Sequence, residues 1–284
     1  MNDIRVKHFK KSFLNDVSAM LNEAKEEFRT NILFQINSVP NNTYILTNNG
    51  SIVGVGLFFY SKGKKITSFN MYVKESERKN GYGSLLLKSI LSNLKSIYID
   101  EIFCEISDSE SIKKFFEKNG FEVYYTKHKM NKTIYQKDLI DSFPEIINYS
   151  DKYYFQLNQL IEKNNFHSQQ NNQPKEFFLQ KDNSELRELL DEDRKHCYVQ
   201  VMDDDIVGFI YFENELINHL LIDDSKLGPN ELEYFIYNAY KSYTGKNNIS
   251  VDIYVQDNQI SLIEQLDELG FMKIDSSYIL RKEM

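Results

Sequence analysis

The residues Arg78, Gly81 and Gly83 form the pattern R-x-x-G-x-G between an apolar run that ends at Val73 and a leucine-rich helical run. Glycines remove side chains, so consecutive backbone N–H groups can approach one anion closely. A helix predicted to begin at about Ser84 would add its unpaired N–H groups and the positive end of its dipole. The glycine loop, residues 78–84, therefore predicts a phosphate or pyrophosphate site.

The spacing excludes a dinucleotide-binding Rossmann loop. Gly81-Tyr82-Gly83 supplies G-x-G, and Asp100 lies at about the expected distance beyond it. However, Leu86 occupies the third glycine position, and seven residues separate Val73 from Gly81. A Rossmann glycine should follow its strand almost directly.

The composition is that of a soluble globular protein with one large or two ordinary domains: 284 residues, 41% hydrophobic and 27% charged. The charged N-terminus and the lack of an apolar run of roughly 20 residues predict a cytoplasmic protein without membrane contact. Cys104 and Cys197 are expected to be buried, reduced thiols, and the His and Cys spacing matches no metal site.

The net charge of −8 is unevenly distributed along the chain. Residues 1–140 carry 21 basic and 15 acidic side chains, a balance of +6, whereas 141–284 carry 13 and 27, a balance of −14. The acidic balance argues against nucleic-acid binding. A basic half could hold an anionic ligand, and an acidic half could attract a cationic one.

The two halves repeat one plan. An offset of 154 residues relates Val53-Gly54 to Val207-Gly208, within hairpins that turn at Asn48–Gly50 and at Asp203–Asp205. An offset of 150 relates Gly120-Phe121 to Gly270-Phe271. Ordered blocks of this kind indicate an internal duplication, and the four-residue loss is expected where the second half lacks the glycine loop.

The periodicity predicts the elements of the first half. A single helix is expected after Ser12, with Leu14, Val17 and Phe28 on one face. The predicted elements that follow are a strand over 66–73, a helix from about Ser84, a strand over 102–106, a helix that ends at Asn119-Gly120, and a strand from Phe121 to about Met130.

These elements resemble the GNAT superfamily of acyl-CoA N-acyltransferases. The resemblance is carried by "ITSFNMYV", "RKNGYG", "SLLLKSIL" and "SIKKFFEKNGFEVYY", which follow the family order over most of residues 1–132. The second half resembles the same fold more weakly. Its segment "LIDDSKLGPNELEYF" lacks the paired glycines and the arginine, which implies a half that does not bind CoA.

The resemblance implies that acetyl-CoA is the cosubstrate and that no metal is needed. The pyrophosphate would lie on the backbone of the loop, with the pantetheine along the preceding strand. The implied cofactor-binding residues are Met71, Tyr72, Val73, Arg78, Lys79, Asn80, Gly81, Tyr82, Gly83, Ser84, Ser109 and Phe116.

The sequence departs from the family at two positions. Phe116 occupies the position where the family often has a tyrosine as the acid, and Ser109 occupies that of a pantetheine-contacting asparagine. Because Phe116 cannot donate a proton, Tyr124 and Tyr125 are the substitute candidates, and strand alternation lets only one of them face the site. Glu105 is the candidate base.

We therefore expect an α/β protein with two GNAT-like domains, each a mixed, mostly antiparallel sheet flanked by helices. The predicted boundaries are 1–132 for the CoA-binding domain, 133–150 for a connector and 151–284 for the degenerate domain. The predicted activity is acetyl transfer to an amine, with a cationic acceptor as one option. The alternative is an acyl-CoA-binding or sensing module without turnover. The sequence leaves the acceptor and the oligomeric state open.

Overall fold

The computed structural model describes residues 3–60, 65–135, 145–170, 190–191, 193–246 and 248–284. They form two compact units: Met1–Tyr124 together with Tyr278–Met284, and Tyr125–Ser277. Each unit has a mixed sheet flanked by helices, which confirms the predicted fold class. The domain boundaries at 132 and 151 stay a prediction, and residues 136–144 of the expected connector lie outside the described residues.

The sheet of the first unit contains five consecutive strands, the start of a sixth and the end of the last strand of the chain, β12 (Met272–Glu283). Its elements are β1 (Ile4–His8), α1 (Leu14–Met20), α2 (Glu26–Ser38), β2 (Thr43–Asn48), β3 (Ser51–Phe58), β4 (Ile66–Val73), α3 (Tyr82–Ser96), β5 (Glu101–Ser107), α4 (Glu110–Lys118) and the start of β6 (Glu122–Tyr135). Strands β1 to β4 pair antiparallel, and β4 pairs parallel to β5.

The second unit repeats this order. Its elements are most of β6, β7 (Ile146–Asn148), α5 (Tyr154–Gln170), β8 (Cys197–Met202), β9 (Asp205–Glu213), β10 (Leu216–Ile222), α6 (Pro229–Thr244), β11 (Asn248–Gln256), α7 (Ile260–Glu268) and the start of β12 (Met272–Glu283). Strands β7 to β10 pair antiparallel, β10 pairs parallel to β11, and β11 pairs antiparallel to β6.

Strand β12 ends in the first unit. Its last residues lie beside β5, where the Met284 N–H donates to the Asp100 carbonyl at 2.9 Å. Leu280 is fully buried in the core between the sheet and helices α3 and α4. The first unit therefore takes part of its core from the far end of the chain.

The local predictions were confirmed where turn chemistry decides them. Asn49 and Gly50 adopt φ values of 49° and 86°, and Asp203 and Asp204 adopt 50° and 65°. These are the left-handed conformations that two-residue hairpin loops require.

Both cysteines are buried and free, and burial raises the pKa of the Cys197 thiol to about 12.

Three element predictions were wrong at their limits. The single helix expected after Ser12 is two helices, because Ala24 and Lys25 take extended backbone angles between α1 and α2. Helix α3 begins at Tyr82 rather than Ser84, since Gly81 already forms the N-cap. Strand β6 continues to Tyr135 because its later residues pair with β11.

The two faces of the first unit's sheet are covered differently. Helices α1 and α2 cover one face, where Val17, Ile32 and Tyr72 are buried. Helices α3 and α4 cover the other, where Leu86, Phe116 and other side chains are buried. Alternation along β4 assigns Phe69 and Met71 to the α3–α4 face, and Asn70 and Tyr72 to the α1–α2 face.

We expect Leu280→Ala to destabilise the first unit by about 2–5 kcal/mol, the usual cost of a buried Leu→Ala cavity. Urea-dependent amide hydrogen exchange of β4 and β5 measures this loss. Met272→Ala is the matched control, because Met272 lies in the same strand with 67% of its surface exposed. Equal, small effects of both substitutions would contradict the assignment of the chain end to the first unit's core.

Candidate functional site

Strands β4 and β5 diverge within the first unit. Their parallel register covers Ile66↔Glu101, Thr67↔Ile102 and Ser68↔Phe103, whereas β4 continues to Val73 and β5 to Ser107. We call the opening between residues 69–73 and 104–107 the fork. It gives β4 an edge that is not paired to β5.

The backbone of β4 points alternate groups into the fork. The Phe59 N–H donates to the Ser68 carbonyl, and the Lys74 N–H to the Val53 carbonyl, each at 2.9 Å on the β3 side. Because successive residues of a strand direct their backbone groups to opposite edges, Met71 and Val73 direct theirs into the fork. This backbone can donate to a carbonyl oxygen placed there.

The glycine loop presents a run of backbone donors. Arg78 is extended, Lys79 has φ 67°, and Gly81 has φ 80° and caps α3. The first helical bond runs from the Leu85 N–H to the Gly81 carbonyl. Within the described part of the chain, no hydrogen bond is formed by the N–H groups of 79–84. Such a run is suited to an anion.

Arg78 is held against the end of β4. Its Nε donates to the Val73 carbonyl at 3.0 Å, and its Nη1 lies 3.2 Å from Glu75 Oε1. Its Cζ lies 5.5 Å from the centre of the Tyr72 ring. Burial raises the pKa of the Tyr72 hydroxyl, and the positive charge of Arg78 offsets part of this increase. Arg78 thus fixes the start of the loop and leaves a positive charge beside it.

Three elements converge at Gly83. A Cβ built on Gly83 would lie 3.3 Å from Phe115 Cζ and 4.0 Å from Met71 Cε. The start of α3, the end of β4 and helix α4 therefore meet so closely that a side chain at Gly83 would require the Phe115 ring to shift. The neighbouring Tyr82 side chain is buried against Leu46 and Val53, so only its backbone is available to a ligand.

Phe116, one of the predicted cofactor contacts, lies in the core. It is 4% exposed, and its ring lies 6.1 Å from that of Phe69 and 5.3 Å from that of Phe121. Phe115 is the residue of α4 that reaches Gly83. The sequence did not identify Phe115, because two adjacent phenylalanines differ by about 100° around the helix axis and both suit an amphipathic face.

The candidate catalytic side chains lie on or near β5. Glu105 is exposed on the same face as Phe103, and Tyr124 packs edge-on against Phe103 at 5.4 Å. Tyr125 is buried and belongs to the second unit. The structure thus brings Tyr124 to the start of the fork on the α1–α2 face, while the roles of all three stay predictions.

Ser109 caps the helix that follows β5. Its carbonyl accepts from the Lys113 N–H at 2.9 Å, and its Oγ lies 3.2 Å from Ser111 Oγ. The predicted pantetheine contact at this position is therefore a short hydroxyl beyond the end of β5, and it stays a prediction.

The equivalent loop of the second unit uses its donors internally. The Asp223 N–H donates to the Val207 carbonyl at 2.8 Å, as the Lys74 N–H does to Val53. The carbonyl of Asp223 then accepts from Lys226 and Leu227, and its carboxylate accepts from the Ser225 N–H. The first residue of α6, Pro229, has no N–H.

Acidic groups also occupy this second loop. Lys163 forms an ion pair with Asp223, and a Cβ on Gly228 would lie 3.0 Å from Glu231 Oε2. Burial alone would raise the pKa of Asp223, but hydrogen bonds from Lys163 and Ser225 hold it below its usual value. A carboxylate that stays charged beside α6 disfavours a phosphate there.

Between the two aligned blocks, the second half is shorter than the first mainly because of the connection between β9 and β10, and not because of the segment equivalent to the glycine loop. Lys74 and Asp223 are equivalent, because the N–H of each donates to the carbonyl of an equivalent valine, Val53 or Val207. The offset between them is 149 residues, whereas it is 154 at the hairpins, so the second half has already lost residues before the glycine loop. The connection after β9 is only the turn Asn214-Glu215, with φ 52° and 65°. The loss does lie between the two aligned blocks, but the prediction that it falls at the glycine loop was wrong.

The sequence also missed the end of the chain as part of this region. Arg281 donates hydrogen bonds to Glu101. The Lys113 Nζ lies 4.9 Å from the centre of the Tyr278 ring. Both tie residues 278–284 to β5 and α4. The similarity of "FMKIDSSYIL" to "FEVYYTKHKM" predicts that the segment is a strand, but it does not predict that this strand, β12, lies beside β5.

No helix in the described ranges is long and apolar enough to cross a membrane. No group of three or more His, Cys, Asp or Glu side chains among the same residues could hold a metal ion.

One family model matches part of the first unit. Residues 40–123 match the family model described as the Acetyltransferase (GNAT) domain. This range contains β2 to α4, and with them the fork and the glycine loop. No curated protein matches the chain.

Solved structures match both units together. A GCN5-related N-acetyltransferase from Sphaerobacter thermophilus is 12% identical, with a TM-score of 0.68 over 99% of this chain and 95% of that one. A tandem GNAT protein from the clavulanic acid biosynthesis pathway is 11% identical, with a TM-score of 0.65 over 100% and 98%. A likeness at such identities establishes the fold.

Gly81→Val should weaken CoA binding at least about tenfold, roughly 1.4 kcal/mol, because it places a side chain on the loop at φ 80°. Isothermal calorimetry measures the affinity. Gly245→Val is the matched control: Gly245 has φ 74°, and like Gly81 it has no heavy atom within 4 Å of a built Cβ, but it ends α6. Equal affinities for both variants would remove the phosphate assignment.

Proposed function

We propose that this tandem GNAT protein, whose residues 40–123 carry the acetyltransferase (GNAT) domain, transfers an acetyl group from acetyl-CoA directly to an amine. The observation that carries the proposal is the position of two donor sets beside each other. The N–H groups of the glycine loop and the fork-facing backbone of Met71 and Val73 are separated by one short turn.

The glycine loop would hold the pyrophosphate of acetyl-CoA. The unbonded N–H groups of 79–84 and the α3 dipole supply favourable electrostatics, and Arg78 adds a positive charge. Ser109 and the Met71–Val73 backbone would contact the pantetheine. Phe115, rather than Phe116, is the aromatic residue of α4 placed to contact the cosubstrate, since it lies at Gly83.

The backbone facing the fork would polarise the thioester carbonyl. The amine nitrogen attacks that carbonyl carbon, a C–N bond forms, and the C–S bond breaks to release the CoA thiolate. Backbone donors that are already in place stabilise the developing negative charge on the oxygen without reorganisation. No covalent enzyme intermediate is required, because the amine is itself the nucleophile.

Three proton transfers accompany the reaction: the ammonium loses one proton before attack, the nitrogen loses a second to water as the amide forms, and the thiolate gains one. Glu105, exposed on β5, is the candidate to accept the proton from the ammonium. Tyr124 is favoured over Tyr125 as the donor to the thiolate, because it packs on Phe103 at the start of the fork. Phe116 is buried and has no proton to donate.

The acceptor would enter from the α1–α2 face and is proposed to be cationic. Acidic side chains lie on this side of β5 and the neighbouring chain end: Glu101, Glu105, Glu122 and Glu283. Arg281 neutralises only part of this charge. Such a surface attracts an alkylammonium group and disfavours an anionic acceptor.

The second candidate function is acyl-CoA binding without turnover. The observation favouring it is that Phe116, at the position where the family often has a tyrosine as the acid, is packed in the core against Phe69 and Phe121. It keeps the same cosubstrate site. The two proposals therefore differ in turnover and not in binding.

We expect acetyl transfer from acetyl-CoA to at least one member of a panel of polyamines, aminoglycosides and peptide N-termini. Tyr124→Phe should lower kcat by about 10²–10⁴ if its hydroxyl protonates the thiolate. Tyr125→Phe, the neighbouring substitution of the same size, should leave kcat near the wild-type value. Tight CoA binding with no transfer to any amine would favour the binding module.

Calorimetry should give one acetyl-CoA per chain. The second unit's loop uses its N–H groups internally and carries Asp223 and Glu231 at the start of α6. Gly81→Val should therefore weaken the one binding event at least about tenfold. A second binding event that survives in this variant would show that the second unit also binds the cosubstrate.

A further inference from the structure

We infer that Arg281 is a positioning residue of the first unit, which holds the Tyr124 ring against Phe103 where β4 and β5 diverge. The inference rests on the proposed acetyl transfer. It assigns a role to the last seven residues of the described chain, which the first unit includes although 153 residues of the second unit intervene in the sequence.

The contacts form a continuous stack. The Arg281 Cζ lies 5.4 Å from the centre of the Tyr124 ring. The Tyr124 ring in turn lies 5.4 Å from that of Phe103, at an interplanar angle of 65°. Phe103 is paired with Ser68 in the last registered pair before the fork. Tyr124 is therefore in contact with both Arg281 and Phe103.

Arg281 is itself fixed by carboxylates. Its Nε donates to Glu101 Oε1 at 2.6 Å, its Nη2 donates to the same oxygen, and its Nη2 also lies 3.0 Å from Glu283 Oε1. Burial alone would lower the pKa of Arg281, but the hydrogen bond and charge of Glu101 raise it overall. The guanidinium stays charged, and Glu101 defines its plane.

The planar side chain explains why an arginine is present. A guanidinium can lie flat on an aromatic ring while its edge donates to a carboxylate, whereas an ammonium is a compact point charge on a flexible stem. The Arg281 and Glu101 side chains are 27% and 16% exposed, so the pair is partly buried and holds the guanidinium in place.

The adjacent residue of β12 provides a matched control. Lys282 points to the opposite face, where its Nζ lies 3.4 Å from the Gly120 carbonyl and 5.8 Å from the centre of the Phe121 ring. Lys282→Gln removes a charge from the same strand without touching Tyr124. Any general effect of altering the chain end should therefore appear in both variants.

The test is a double-mutant cycle in kcat for acetyl transfer to an amine that the wild type acetylates. Arg281→Gln should lower kcat at least about tenfold and leave the acetyl-CoA affinity unchanged, because the glycine loop is not part of the stack. Arg281→Lys should not restore kcat. In a Tyr124→Phe background, Arg281→Gln should have little further effect, since both act through one hydroxyl.

The outcomes separate the two proposals. Independent, multiplicative losses from Arg281→Gln and Tyr124→Phe overturn the positioning role while acetyl transfer stands. The same holds if Lys282→Gln lowers kcat as much as Arg281→Gln, or if Arg281→Gln leaves kcat unchanged. A wild-type chain that binds acetyl-CoA but acetylates no amine overturns the proposed function, and the inference with it.

Discussion

The short parallel pairing of β4 with β5 is the constraint on which the first unit's site depends. A buried backbone donor or acceptor without a partner costs about 1–3 kcal/mol, so a strand edge that loses its neighbour must be satisfied in another way. Arg78 satisfies the carbonyl of Val73, and the other groups are directed into the fork. The chemistry proposed here uses the polar groups that this divergence leaves available to a ligand.

Among the described residues, the N–H donors of 79–84 after β4 are unbonded, whereas most of those in the loop after the equivalent strand β10 are hydrogen-bonded, and a few residues cause this difference. Both β4 and β10 end with a backbone bond from the next residue to the neighbouring strand. Lys79 and Gly81 then adopt positive φ and leave donors unbonded, whereas Asp223 collects the donors of its own loop. A carboxylate supplied by the chain takes the place that an anionic ligand would need. The two units share the order of the sheet, and the loop sequence decides the electrostatics.

Local features were predictable from the sequence and long-range ones were not. Gly50 and Asp204 lie in turns whose dihedral angles few other residues accept, so the hairpins could be placed directly. The glycine loop was recognisable for the same reason. Phe115 and Phe116 could not be told apart, because both suit an amphipathic face and no local pattern fixes how α4 is rotated about its axis. Leu280 and Arg281 belong to a strand whose neighbours are set by pairing across 180 residues, which no local pattern encodes.

The position of residues 278–284 has a consequence for biosynthesis. A ribosome adds them after every other residue described above, so the nascent first unit leaves the exit tunnel without Leu280 in its core and without Arg281 beside β5. The unit can finish folding only after the second has been translated. A message that ends early in the second half would release a first unit with an exposed β5 edge, which is a substrate for aggregation or proteolysis. The order of synthesis thereby couples the completion of one half to the presence of the other.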